Sequence, residues 1–305
     1  MTNYTQRFYR DEADYAAMRR LIADSYKLVG PHHSFLLGDL DWWRAFVDAD
    51  TLLPTVPLWF AGEMLVGFLW PGQATVETML HPQHRAAEPL LLAYAEQHLR
   101  RAADDGQEAG LVQVSLESDT QRNELLAAHG FVRTDDFLAS HIYDLAGPPP
   151  APQLPPGFTL RDMTGDADWQ ARVELHRAAF APSKFTLEKY QAARNGPTYR
   201  PDLDLLAVAP NGDYAAYTTV WFEPENRVAL YEPVGCRPNY GRRGLGKALL
   251  YEGLCRLYEL GAVRAHVGSW RDDSPGALLY RAAGFRLIDR WYEWHKSYPD
   301  DTEAA

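Results

Sequence analysis

A basic, glycine-rich stretch, YGRRGLGKALL at residues 240–250, has the residue types that bind a phosphate group. It contains three glycines, three basic residues and one apolar residue between them: Gly241, Gly244, Gly246, Arg242, Arg243, Lys247 and Leu245. The glycines allow backbone conformations that other residues rarely adopt, and an apolar helical pattern follows directly after them. Backbone N–H groups at a helix start converge on an anion at the positive end of the helix dipole, and arginines add charge-assisted hydrogen bonds. The stretch predicts an anion cradle, although Arg243 and Lys247 also suit a solvated surface.

Several kinds of phosphate-binding site could account for this stretch. Residues 241–247 spell GxxxxGK, but a nucleotide-binding P-loop then needs Ser or Thr to bind Mg²⁺, and Ala248 stands there. A dinucleotide fingerprint fails because Leu249 occupies its third glycine position. A plain basic turn at a helix start does not need three glycines, which cost backbone entropy. The pyrophosphate of coenzyme A is the remaining interpretation.

The strand pattern before the cradle, RVALYEPVGC at residues 227–236, contains a carboxylate in an apolar row. With a period of two, Val228, Leu230, Glu232 and Val234 share one face. A carboxylate there needs a partner, water or a raised pKa. Glu232 is therefore a candidate general base that takes a proton from an attacking amine, directly or through water. The alternative is a solvated or structurally paired glutamate.

The order of motifs in the second half resembles the GNAT superfamily of N-acetyltransferases. VGCRPNYGRRGLGKALL, followed by a strand and then DDSPGALLYRAAGF, is similar to the two signature motifs of that superfamily, and the resemblance covers Gly157 to about Lys296. One position departs from it, since Gly241 stands where the family has Gln or Arg. The resemblance implies acetyl-CoA as cofactor and direct acetyl transfer to an amine, without a covalent enzyme intermediate.

The resemblance also implies roles for individual residues. Two parallel strands are expected to splay at Pro233, which cannot donate to a sheet ladder. The pantetheine arm then contacts the strand at Val234, Gly235 and Cys236, where a backbone N–H also stabilises the oxyanion. Tyr280 donates a proton or hydrogen bond to the departing thiolate. Asp273 stands where the family often has Asn, with helix capping as an equal alternative.

Composition narrows the class of protein. A formal net charge of −11 over 305 residues argues against nucleic-acid binding and weakly favours a cationic or amine substrate. Cys236 and Cys255 stand alone without metal-type spacing, and no His is placed beside Cys236 to support an acyl-accepting nucleophile. The apolar stretches are too short to span a bilayer, and no signal peptide is evident, so a cytoplasmic protein without membrane or metal partners is expected.

The two halves of the sequence are copies of one unit. AGPPPAPQLPPG, at residues 146–157, is a proline-rich linker. Around it, similar segments recur in the same order, with Pro82 matching Pro238 and Gly130 matching Gly284. We predict a degenerate GNAT-like domain at 1–145, the linker at 146–157 and an acetyl-CoA-binding catalytic domain at 158–298. This two-domain layout is similar to that of mycothiol synthases, a likeness of architecture alone.

The predicted fold class is α/β with two tandem GNAT-like domains, each a mostly antiparallel mixed sheet with a splayed parallel central pair flanked by helices. In the second half we expect helices at 167–181, at 244–260 and after Ser274, with strands at 205–209, 215–222, 227–236, 262–269 and 285–294. Ser274 suits the N-cap of the last helix, which Gly284 ends.

The first half lacks the predicted chemistry. At the matching positions Glu88 replaces Gly244, Leu90 replaces Gly246, Val76 replaces Glu232 and Leu126 replaces Tyr280. We therefore predict that the first half is catalytically silent.

The sequence alone does not identify the acceptor of the acetyl group. A small-molecule or peptide amine is expected, and the protein is a monomer or homodimer. Possible acceptor-site walls, each equally compatible with ordinary packing, are His176, Phe180, Phe185, Tyr190 and Trp270. A non-catalytic acyl-CoA sensor or interaction module is the competing hypothesis.

Overall fold

The computed structural model describes residues 2–33, 35–72, 75–100, 109–165 and 167–298, and within these ranges helices and strands follow one another. In the first half of the sequence they are β1 (Tyr4–Phe8), α1 (Glu12–Val29), α2 (Leu37–Phe46), α3 (Ala49–Leu52), β2 (Pro57–Ala61), β3 (Met64–Pro71), β4 (Val76–Leu80), α4 (Glu88–His98), β5 (Gly110–Leu116), α5 (Thr120–Ala128) and β6 (Val132–Asp144). In the second half they are β7 (Thr159–Asp162), α6 (Trp169–Ala179), α7 (Leu187–Arg194), β8 (Asp204–Val208), β9 (Tyr214–Glu223), β10 (Val228–Cys236), α8 (Leu245–Glu259), β11 (Arg264–Trp270), α9 (Pro275–Ala282) and β12 (Arg286–Ser297).

The chain forms two compact units that are not contiguous in sequence. The first unit contains residues 1–35, 50–139 and 289–305, and the second contains residues 36–49 and 140–288. Helix α2 thus belongs to the unit that holds most of the second half of the sequence, and most of β12 belongs to the first unit. The proline-rich segment predicted as a linker, 146–157, lies within the second unit.

The first unit contains a mixed sheet that is mostly antiparallel. Strands β1, β2, β3 and β4 pair in antiparallel order, and β5 pairs with β12 antiparallel. The parallel pair β4–β5 meets only at Val76 and Gln113 and separates beyond that point. Helices α4 and α5 pack Leu91, Leu92 and Leu126 into the core beneath this sheet.

The second unit has the corresponding sheet. Strands β7, β8, β9 and β10 pair in antiparallel order. The parallel pair β10–β11 runs in register from Val228 opposite Arg264 to Tyr231 opposite Val267 and then stops. Helices α8 and α9 pack against these strands through a core that contains Tyr231, Leu254 and Phe285. The mixed sheet with a splayed parallel pair in each unit confirms the predicted fold class.

The predicted helix and strand positions in the second half are confirmed to within a few residues. The short strands β1 and β7 were not predicted, because YTQRF and TLRD are half-exposed edge strands without a clear apolar row. No helix in the described ranges is long and apolar enough to cross a membrane.

Candidate active site

The predicted cradle forms the start of α8. Gly244 adopts φ 81°, in the left-handed region, and directly precedes the first helical residue, Leu245. No side chain caps this end of the helix, so the N–H groups of its first turn are left for another acceptor. A Cβ at Gly244 would meet no atom within 4 Å, so the space in front of these donors is open. This geometry fits a bound diphosphate at the helix start.

The two arginines of the cradle are exposed, and Gly246 has a packing role. Arg242 has φ 61°, in the left-handed region. The Nη2 of Arg243 donates a hydrogen bond to the carbonyl oxygen of Asn239 at 3.4 Å. A Cβ at Gly246 would approach Leu279 Cδ2 to 2.8 Å, so this glycine allows α8 to pack closely against α9. Gly244 therefore provides the backbone conformation, and Gly246 provides room for the neighbouring helix.

Two further candidates from this region lie on the surface. The Lys247 ammonium is 5.4 Å from the centre of the Tyr251 ring, one turn along α8. Asp273 has an 85% exposed side chain, 3.7 Å from Arg271 Nε. The capping alternative for Asp273 is wrong, because the Ser274 hydroxyl accepts the Ala277 N–H at 3.1 Å and caps α9.

The splay in β10 comes with a bulge. Opposite β9, Tyr231 pairs with Val220 and Val234 pairs with Thr218, so β10 has one extra residue between these pairs. The extra residue reverses the alternation of faces, and the Val234 side chain packs against the core cluster that contains Tyr231. The prediction that Val234 shares a face with Glu232 is therefore wrong, because the bulge falls between them.

Beyond the bulge, β10 offers backbone groups to the gap. The Arg237 N–H donates to the Ala215 carbonyl of β9 at 2.9 Å, so by alternation the backbone groups of Val234 and Cys236 point away from β9. The ladder to β11 has already ended at Tyr231. Gly235 is tightly packed, since a Cβ there would lie 2.6 Å from Tyr217 Cε1. The gap fits an extended chain that hydrogen bonds to a strand edge, as the pantetheine arm requires.

Glu232 lies at the bulge in a half-buried position. Its carbonyl accepts a hydrogen bond from the Trp221 indole at 2.6 Å, which fixes the backbone. Burial, and to a lesser extent the Asp39 carboxylate, raise the pKa of Glu232 to about 8. A carboxylate with a pKa near neutrality is suited to accepting and releasing a proton.

Tyr280 is a buried residue of α9 close to the same carboxylate. Burial raises the pKa of its hydroxyl, and the charge on Glu232 raises it further. The His141 ring lies edge-on to the Tyr280 ring with centroids 5.9 Å apart. Tyr280 is therefore held as the neutral phenol, the form that donates a proton.

Cys236 is a half-buried thiol that packs against the core cluster containing Ala216 and Leu245. Burial raises the pKa of this group above its ordinary value, and Arg243 opposes the shift only in part. The thiolate is the nucleophilic form of cysteine. The environment therefore disfavours Cys236 as an acyl acceptor.

Four of the predicted wall residues lie together, and Trp270 does not join them. The His176 ring is 4.1 Å from Phe185 and 5.0 Å from Phe180, measured between centroids. The Tyr190 ring is 6.2 Å from the Phe185 ring, and both side chains are buried in one core cluster, where the Tyr190 hydroxyl donates to Asp204 at 2.8 Å. Trp270, at the end of β11, is 60% exposed.

Helix α2 supplies residues that the sequence did not indicate. Trp42 lies 6.1 Å from His176 and 6.0 Å from Trp221, and Phe46 stacks on Phe185 at 5.3 Å. Asp39, on the same helix, acts on Glu232 as described above. His141 of β6 was missed for the same reason: nothing in a local pattern shows that these residues of the first half pack in the second unit.

The first unit has a different arrangement at the matching positions. Glu88 begins α4, is 2% exposed and is held by Arg122 Nη1 at 2.6 Å and Arg85 Nη2 at 2.8 Å. The protein's own carboxylate thus lies at the helix start where Gly244 leaves open space in the second unit. Leu126 is fully buried in the core.

Comparisons with known proteins agree with this geometry. Residues 169–285 match the model of the acetyltransferase (GNAT) family. A mycothiol acetyltransferase of Kineococcus radiotolerans is 33% identical to this chain. The match covers 58% of this chain and 58% of that relative, so the chain spans about three fifths of the relative's length.

Two solved structures share the fold. A GCN5-related N-acetyltransferase from Sphaerobacter thermophilus has a TM-score of 0.68, with 23% identity over 96% of this chain and 95% of that one. A tandem GNAT protein from the clavulanic acid biosynthesis pathway has a TM-score of 0.66, with 20% identity over 98% and 99% of the two chains.

Proposed function

We propose that the chain transfers an acetyl group from acetyl-CoA to the amine of a small molecule, because residues 169–285 match the model of the acetyltransferase (GNAT) family. The observation that supports this best is the open, uncapped start of α8 beside the splayed strands β10 and β11, with Glu232 and Tyr280 near the gap. The relatives named mycothiol acetyltransferases make a mycothiol-related amine the first acceptor to test.

The cofactor would be held by backbone groups more than by side chains. The N–H groups at the start of α8 and the charges of Arg242 and Arg243 would bind the diphosphate. The backbone of Val234 and Cys236 would bind the pantetheine arm. When bound, acetyl-CoA supplies an acetyl group activated as a thioester.

Each remaining step belongs to a residue of this chain. Glu232 takes the proton from the attacking nitrogen, directly or through water. A backbone N–H of β10 at the gap would donate to the carbonyl oxygen of the bound acetyl group. Tyr280 would give its phenolic proton to the thiolate that leaves, and the proton held by Glu232 would then return to the Tyr280 phenolate, so that the proton lost by the nitrogen ends on the thiol.

A mass-detected assay with a panel of amines, including the acetyl-free form of mycothiol, tests the function. We expect an acetylated product and stoichiometric free coenzyme A, and calorimetry should find one acetyl-CoA site per chain. Gly244→Val should weaken acetyl-CoA binding at least tenfold, since the left-handed φ of Gly244 costs a side chain about 1–2 kcal/mol and the start of α8 would shift to relieve it.

The matched control is Gly212→Val, at another open positive-φ glycine, in the β8–β9 turn. It should leave acetyl-CoA binding unchanged. Binding without acetylation of any amine would favour the sensor hypothesis, and two sites per chain would contradict a silent first half.

Tyr280→Phe tests the proton donor. We expect kcat to fall about 10- to 100-fold, because the sulfur then leaves without a positioned acid, while acetyl-CoA affinity stays near wild type. Tyr258→Phe on α8, which removes a hydroxyl from an exposed tyrosine, is the control. An unchanged kcat in Tyr280→Phe would remove this residue from the mechanism.

A further inference from the structure

Helix α2 lies directly over the strand face that holds the proposed base. A Cβ at Gly38 would approach Trp221 Cβ to 2.6 Å and Leu230 Cδ2 to 3.2 Å. Leu230 shares its strand face with Glu232, and the Trp221 indole donates to the Glu232 carbonyl. Asp39 follows Gly38 at the start of this helix, and its carboxylate acts on the charge of Glu232.

Two other ionisable side chains interact with the charge of Glu232, Tyr217 of β9 and Tyr280 of α9. His176 and Arg172 of α6 contact Tyr217, His141 of β6 contacts Tyr280, and His266 of β11 pairs with Leu230 of β10. Burial raises the pKa of both tyrosines and lowers that of His176 to about 3, so these three are neutral at pH 7. The charge of Arg172 is paired with Asp204 at 3.0 Å. Asp39 is the group whose negative charge acts on Glu232 and raises its pKa.

Two aromatic residues follow Asp39 along α2. Trp42 follows Asp39 on the same helix face, and Phe46 follows Trp42 one turn later. Phe46 stacks on Phe185 with an interplanar angle of 16°. Carboxylates and aromatic faces both attract ammonium groups, the latter through the ring quadrupole.

We propose that Asp39 holds the ammonium group of the acceptor beside Glu232, so that α2, from the first half of the sequence, completes the acceptor site. This inference rests on the proposed function. It assigns the acceptor to cationic amines that lack a carboxylate next to the amine, because an adjacent carboxylate would meet the charge of Asp39. Asp39 is a binding and positioning residue, and Glu232 takes the proton.

Phenethylamine and phenylalanine form a suitable pair of probes, since they differ by the one carboxylate. Calorimetry on the full chain saturated with coenzyme A should show phenethylamine binding at least tenfold more tightly than phenylalanine. Asp39→Asn should weaken phenethylamine binding at least tenfold and reduce this preference. Asp39→Glu should restore most of the affinity.

The fold should tolerate these changes. Asp39 Oδ2 accepts the Leu36 N–H at 2.7 Å at the start of α2, and the amide oxygen of Asn can accept the same bond. Asp50→Asn, which removes an exposed carboxylate on α3, is the control and should bind phenethylamine like wild type.

A second measurement needs no acceptor. In protein labelled with ¹³C at the glutamate carboxyl carbons, the signal missing from Glu232→Gln identifies Glu232, and its titration should move to lower pH in Asp39→Asn. A merely structural role for Asp39 would not shift that titration. Equal binding of phenethylamine by Asp39→Asn, equal binding of the two probes, no binding of phenethylamine, or an unmoved titration would each overturn the inference.

The two proposals fail in different ways. If no amine in the panel is acetylated, the proposed function fails even where phenethylamine binding still depends on Asp39. If amines are acetylated and Asp39→Asn has an unchanged KM for them, the role of Asp39 fails and the proposed function stands.

Discussion

Glu232→Gln should lower kcat/KM for amine acetylation by about 10²- to 10⁴-fold, the usual contribution of a positioned general base. Glutamine keeps the size and the hydrogen-bonding capacity of the side chain but cannot take up the amine proton. Acetyl-CoA binding should stay near wild type, because the proposed cofactor contacts lie at α8 and beyond the bulge in β10. Initial rates across acceptor concentrations, together with calorimetry for acetyl-CoA, measure both quantities.

The pH dependence gives this prediction a second readout. Glu232 must be ionised to accept a proton, and burial together with Asp39 raises its pKa to about 8. The kcat/KM of the wild type should therefore rise with pH through about 8, and this rise should be absent in Glu232→Gln. A profile that is the same in both proteins would assign the rise to the acceptor amine instead.

The same substitution should make the protein more stable. Glu232 has a raised pKa in the folded state, so between about pH 4.5 and 8 the folded chain binds more protons than the unfolded chain, and stability falls as pH rises. Glutamine does not titrate, so its advantage should grow across this window and reach about 3 kcal/mol at pH 7. Thermal unfolding at pH 5 and pH 7.5 measures the difference.

Glu174→Gln is the matched control, because Glu174 is an exposed glutamate on α6. It should leave the activity, the pH profile and the unfolding temperature near wild type. Loss of activity in Glu232→Gln together with a lower unfolding temperature would indicate a folding defect and would contradict the role of a buried base.

The cradle and the proposed base were predictable because each lies in a short local pattern. Gly244 and Leu245 mark a helix start and Glu232 interrupts an apolar strand, whereas the role of Tyr280 was implied only by the resemblance of DDSPGALLYRAAGF to a family motif. These signals depend on neighbours within a few residues. Pro233 likewise indicated the break in the ladder between β10 and β11.

Other features of the site depend on contacts between residues distant in sequence. In the sequence, Trp42 and Asp39 have the pattern of ordinary members of an amphipathic helix. No local signal links them to Glu232, which is far away along the chain. The reversed face of Val234 depends on how β9 and β10 pair, which the alternation of β10 alone does not contain. The sequence left Tyr190 open between an acceptor-site wall and ordinary packing, because its partner in the core, Asp204, lies at the start of another element.

Arg172→Met should destabilise the second unit by about 3–5 kcal/mol, the usual cost of removing one partner from a buried ion pair. Arg172 is 1% exposed and its Nε lies 3.0 Å from Asp204 Oδ1, while Asp204 is fully buried. Without the guanidinium, the Asp204 charge keeps hydroxyl donors from Tyr190 at 2.8 Å, Tyr199 at 3.1 Å and Thr219 at 3.3 Å. The unfolding temperature should fall by about 10 °C.

Two further variants separate the lost charge from lost packing. Arg200→Met removes an exposed ion pair with Asp202, 2.7 Å long, and should change stability by less than about 1 kcal/mol. Combining Arg172→Met with Asp204→Leu removes both charges and should recover part of the loss, because no unpaired carboxylate stays buried. A double variant as unstable as the sum of the two single variants would show that packing around Arg172, and not its charge, supports the fold.

This ion pair is also connected to the proposed active site. The Arg172 guanidinium lies 3.5 Å from the centre of the Tyr217 ring, the Tyr217 hydroxyl is 2.5 Å from His176 Nδ1, and Tyr217 packs against Gly235 at the gap. Below its unfolding temperature, Arg172→Met should therefore weaken acetyl-CoA binding severalfold as Tyr217 moves toward Gly235. Unchanged acetyl-CoA affinity in a folded Arg172→Met protein would limit the pair to a role in stability.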